Sequence, residues 1–134
     1  MTLNLRTIGI WILRLLAAAI MLQTLYFKFT AHPQSVKLFT ELGLEPYGRI
    51  GIGIMELIAS ILILYPKTTG IGAVLGIGLM SGAIFFHLTV LGIVFDGDAI
   101  LFTYAVIVFA CCAALAFIYL KDILKLLPFK LKKE

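Results

Sequence analysis

Charge is scarce in this chain. Only 13% of its 134 residues are charged, and only seven are acidic. Soluble domains carry about 25% charged residues, so a water-facing surface of ordinary size is excluded. Histidine is nearly absent, and the two cysteines, Cys111 and Cys112, are adjacent with no C-x-x-C spacing. Neighbouring positions on a helix point in different directions, so the pair reads as small buried side chains. His32 lies in the loop after the first span, and no second His or Cys has helix-face spacing with His87, so a metal site is poorly supported. There is no haem ligand pair and no flavin motif. Basic residues are not interleaved with aromatics, which argues against nucleic acid as a partner.

What is present is apolar: 62% of the residues are hydrophobic, and the mean hydropathy is +1.10. A membrane span needs about 20 apolar residues. The pattern predicts an all-α integral membrane bundle of four spans in a single domain, 1–134, at about 8–27, 49–65, 70–95 and 99–120. Little mass is left for a soluble catalytic unit. Arg6 followed by an apolar run containing Ala17–Ala19 imitates a signal peptide. The run continues to Phe27 and carries Arg14 inside, so a retained helix is expected.

The one sizeable polar connection is Lys28–Gly48. Between Pro33 and Pro46, the spacing of Val36, Leu38, Phe39 and Leu42 predicts a short interfacial helix ended by Gly43. Gly97 in Asp96-Gly97-Asp98 suits positive φ. The tail 121–134 alternates lysine with leucine. It is expected to continue the last helix to about Leu127, break near Pro128 and lie on anionic lipid. One side of the predicted topology holds Arg6, Lys67, Lys121, Lys125, Lys130, Lys132 and Lys133; the other holds Lys28, Lys37 and Arg49. The excess of basic residues places both termini in the cytoplasm.

Glycine is concentrated in the third span. Gly72/Gly76 and Gly78/Gly82 each have the small-xxx-small spacing that lets helix backbones approach in lipid, so all four are expected to face other helices.

Arg14, Lys28, Glu56 and His87 do not belong in lipid. A charge at a helix centre costs about 2.5–3.5 kcal/mol on insertion scales, so such groups face a bundle interior or a polar cavity. A rise of about 1.5 Å per residue puts Glu56 about 10 Å below Arg49 and His87 about 12 Å below Phe95. Lys28, Glu56 and His87 are therefore expected to share one ligand site in the outer half. Gln23, Tyr26, Thr89 and Arg14 are candidate supports. A purely structural role is the alternative for each: Arg14 as an anchor or interhelical donor, Lys28 as a boundary residue, Glu56 and His87 as satisfied packing groups.

With these residues in place the chain resembles the DoxX / DoxX-like family of small bacterial four-helix membrane proteins. The marks are Arg14, Lys28, Phe39-x-x-x-Gly43-Leu44, Gly51, Glu56-Leu57, Leu64-x-Pro66, Gly76, Met80, Ala83 and His87-Leu88. One departure is Gln23-Thr24, where the family pattern expects a glycine before the lysine. The resemblance implies a membrane component associated with quinone-linked or thiol oxidation, acting beside separate redox subunits. It makes a quinone the cofactor to test. Three functions stay open: a non-catalytic subunit of an oxidoreductase complex, a binder or transporter of a small lipophilic molecule or ion, and a lipid-modifying enzyme using Glu56 and His87. Expected partners are membrane lipids, together with redox subunits or further copies of the chain.

Overall fold

The computed structural model describes residues 4–95 and 97–125. Helix α1 runs Leu5–Phe29, α2 Pro33–Glu41, α3 Tyr47–Leu64, α4 Thr69–Phe86, α5 Ile100–Ile118 and α6 Leu120–Leu124. Among the described residues four segments are long and apolar enough to cross a membrane: α1, α3, Pro66–Leu91 and α5. They pack in a closed ring, α1 on α3, α3 on α4, α4 on α5 and α5 on α1. The chain is an all-α membrane bundle.

Small residues set the packing. Ala17, Ala59 and Ala73 are fully buried among Met21, Ile63, Val108, Cys112 and Leu115. A Cβ on Gly72 would stand 2.7 Å from the backbone nitrogen of Ile63, and one on Gly76 would stand 2.6 Å from Cys112 Sγ. These two glycines are the points of close approach between α4 and its neighbours. The same expectation is corrected at Gly78 and Gly82, where a Cβ would meet nothing within 4 Å. The spacing repeats every four residues, but the bundle opens along α4 and leaves the second pair without a partner helix.

The segment beyond Phe86 also departs from the sequence reading. A single α-helix was expected as far as Phe95. Instead the chain passes into a π-helical turn, His87–Leu91, and leaves it at Gly92 with φ +84°. Five-residue hydrogen bonding of this kind widens a helix and re-aims its side chains. His87 therefore sits at the start of an irregular last turn. Gly97 has φ +96°, as its place in the turn requires. Of the tail, α6 and Lys125 lie within the described residues. The expected helix end near Leu127 and the break at Pro128 lie outside them.

Arg14 is buried, 2% exposed, and serves the end of α3. Its Nε donates to the Ile63 carbonyl at 2.9 Å and its Nη2 to that of Leu64 at 2.6 Å. Thr68 donates to Leu62 O, and Thr69 to Ile63 O and Tyr65 O. The last carbonyls of a helix have no partner within it and carry its negative dipole end. In lipid they must be satisfied by other protein groups, and Arg14, Thr68 and Thr69 do so. The guanidinium also lies 3.7 Å from the Trp11 ring centroid, a cation–π contact. Arg14→Leu is expected to lower stability by about 1–2 kcal/mol, the range of two interhelical hydrogen bonds in a membrane. A thermal melt in detergent reads it, and an unchanged melting temperature would remove the capping role.

Candidate functional site

At the end of the bundle away from Arg14, the helices line a partly open cavity of about 400 Å³. Its walls come from the second half of α1, the first half of α3, the second half of α4 with its π turn, and the first half of α5. Gln34, Ser35, Leu38 and Phe39 of α2, with Leu42 and Leu44 after it, form the roof. Helix α2 thus covers one side of the cavity with Leu38 and Phe39 together with Gln34 and Ser35. Pro33 opens the helix, the His32 side chain accepts from the Gln34 amide, and Gly43 at φ +74° follows its end.

Most of the wall is apolar, including Met21, Phe27, Met80, Phe86 and Leu101. Into it come Lys28, Glu56 and His87, all three on the lining. Lys28 Nζ lies 3.0 Å from Glu56 Oε1 and 3.4 Å from Thr24 Oγ1, to which it donates. Thr24 in turn donates to the Met21 carbonyl. Glu56 is 5% exposed. The ammonium neutralises its charge, yet the approach is misaligned and leaves Oε1 without a hydrogen bond. A buried carboxylate oxygen without one is costly.

His87 is 4% exposed. Its Nδ1 lies 2.9 Å from the Gly92 carbonyl, and its ring meets Phe102 edge-on at 5.7 Å between centroids. A carbonyl only accepts, so Nδ1 carries the proton and donates; in that tautomer Nε2 presents a lone pair. No protein group among the described residues pairs with Nε2. Lys28, Glu56 and His87 thus share one cavity wall, with no direct hydrogen bond from His87 to the other two.

Of the expected supports, Gln23 lines the cavity. Tyr26 does not: it is 66% exposed and is not on the lining. Thr89 is exposed and donates to the Phe85 carbonyl. Arg14 belongs to the opposite end of the bundle, where it caps α3. Tyr26 and Arg14 share α1 with Lys28 but sit on other faces or levels, which a depth estimate alone does not separate.

Sequence reasoning passed over Arg49 and Glu45. Arg49 Nε reaches both carboxylate oxygens of Glu45 at 3.0 Å, and Nη2 lies 2.8 Å from Oε2. Nη1 donates to the Lys28 carbonyl. This clamp fixes the end of α1, and so the stem of Lys28, against the start of α3. The i,i+4 spacing of Glu45 and Arg49 was the available signal. Tyr104, another lining residue, stood in an apolar run and gave none. Among the described residues no group of three His, Cys, Asp or Glu is placed to hold a metal.

Fold and site together define a small helical membrane protein with a partly polar cavity in one half of the bundle. The chain belongs to the DoxX-like family, whose model matches residues 12–116. No curated protein and no solved structure matches it.

Proposed function

We propose that this protein is a non-catalytic membrane subunit that holds a quinone-type head group beside a redox partner in a bacterial inner membrane. The observation that carries the reading is the cavity. It has the volume of a ligand site, an apolar wall suited to a ring, and polar groups gathered on that wall. The resemblance to the DoxX-like family supports the redox partner. Native mass spectrometry of the gently solubilised protein tests both parts together: a bound quinone and a co-purifying redox subunit are expected. A bound lipophile without protein partners favours the second reading, a binder or carrier of a small lipophilic molecule, which the roofed, largely apolar cavity also suits. Neither ligand nor subunit would overturn both.

If the cavity is a ligand site, Glu56→Gln weakens binding of decylhydroquinone by about tenfold, or 1.4 kcal/mol, while its amide oxygen still faces the Lys28 ammonium and keeps the loss of stability below that of removing Lys28. Stability falling while affinity is kept would make Glu56 a structural residue.

We also propose that both termini are cytoplasmic. The start of α1 and the end of α5 lie at one end of the bundle, where Arg6 shares a surface hollow with Tyr119 and Lys121. The basic excess on that side supports the orientation. Thr40→Cys is expected to react with a membrane-impermeant thiol reagent added to intact cells, and Lys121→Cys is not. The reverse pattern would invert the protein.

A further inference from the structure

Two acceptors on the cavity wall lack a hydrogen bond from the described residues. Glu56 Oε1 is buried on the lining with no aligned hydrogen bond. His87 is committed through Nδ1 to the Gly92 carbonyl, which leaves Nε2 as an acceptor. The strongest donor on the wall, the Lys28 ammonium, has three N–H bonds; one goes to Thr24, and the group stands 3.0 Å from Glu56 Oε1. Gln23, Gln34, Ser35 and Tyr104, also on the wall, each donate and accept, and any free N–H of Lys28 pairs with a hydroxyl or a carbonyl oxygen alike, so these groups pair with either kind of ligand and set no preference.

We infer that the site selects a head group that donates hydrogen bonds, a phenolic or hydroquinone hydroxyl, over the same skeleton bearing carbonyls or ethers. The inference rests on the ligand-site reading above and adds hydrogen-bond polarity to it. A hydroxyl reaching Glu56 Oε1 or His87 Nε2 supplies the missing bond. A quinone carbonyl or an ether oxygen brings a further acceptor to those atoms and leaves them unpaired. Rejection of a ligand that lacks the required group is strong, because buried polar atoms of the site then stay unsatisfied.

The wall also has open space along α4. Gly78 and Gly82 lie on the lining, and a Cβ at either position would meet nothing within 4 Å. Both positions therefore keep room open at the cavity, and a larger side chain there has space to enter without striking a neighbouring helix.

The test uses the full chain in lipid nanodiscs under anaerobic conditions. Four probes share one alkyl tail: decylhydroquinone, decylbenzoquinone, the dimethyl ether of decylhydroquinone, and decylphenol. Gly82→Leu, whose side chain fills the cavity, measures partition into lipid and is subtracted. Decylhydroquinone and decylphenol are expected to bind at least about tenfold more tightly than the quinone and the ether, one good hydrogen bond to a charged or buried group. His87→Phe is expected to shrink that ratio, and the probes themselves keep the test decisive where the variant fails to fold. Quinone or ether binding as tightly as hydroquinone would overturn donor selection and leave the quinone-type site standing. Decylphenol binding while neither hydroquinone nor quinone does would uphold donor selection and overturn the quinone-type reading. No site-specific binding by any probe would overturn both.

Discussion

Lys28→Met is expected to cost about 3–5 kcal/mol of stability, the range for removing one partner of a buried ion pair. Glu56 Oε1 lies 3.0 Å from the Lys28 ammonium, with 15% and 7% of the two side chains exposed. Take the ammonium away and the carboxylate keeps no charge partner in an apolar wall. Charged groups inside a membrane are tolerated when paired or facing a polar space. The double variant Lys28→Met/Glu56→Gln removes both charges and is expected to regain most of the loss. Thermal unfolding of the single and double variants in the same detergent decides it. A Lys28→Met protein as stable as the parent would mean that the pair contributes nothing to the fold, and a double variant no better than the single would place the cost elsewhere.

Gly72→Leu is expected to abolish the folded bundle. The Cβ alone would lie 2.7 Å from a backbone nitrogen of α3 and 2.8 Å from Leu62 Cβ, and backbone has no rotamer by which to yield. The helices must move apart, and with them go the dispersion contacts that hold spans together in lipid. Gly78→Leu, six residues further along the same helix, is the control: it enters open space and is expected to leave the bundle intact. Size-exclusion profiles of the two variants should differ sharply, with Gly72→Leu aggregated and Gly78→Leu monodisperse. Identical profiles would show that small-residue contact does not organise α4.

The comparison of these glycines shows how much the sequence discloses. Hydropathy over 18–26 residues exceeds any competing signal, so the four spans were legible. So was the gathering of Lys28, Glu56 and His87, because lipid leaves ionisable groups few places to go. Which glycine faces a helix and which faces space was not legible. The i,i+4 motif marks a helix face without saying whether a neighbour fills it. The π turn was equally silent: Thr89, Val90 and Leu91 continue an apolar run, and only Gly92 marks the exit. Arg14 was visible as an anomaly, but its target, the carbonyls of Ile63 and Leu64, carries no side-chain signature at all.

The cap that Arg14 places on α3 also bears on the surrounding lipid. Helix α3 has 18 residues against 25 for α1, a height of about 27 Å beside about 38 Å. The protein therefore presents walls of unequal height to a bilayer whose hydrocarbon is about 30 Å thick. Lipids beside α3 meet a belt near or below their own thickness, and those beside α1 meet a taller one. The relief for such mismatch is a tilted bundle or a local thinning on the α3 flank. That is the flank where the Arg14 guanidinium ends, and a thinned leaflet there brings the headgroup layer toward it.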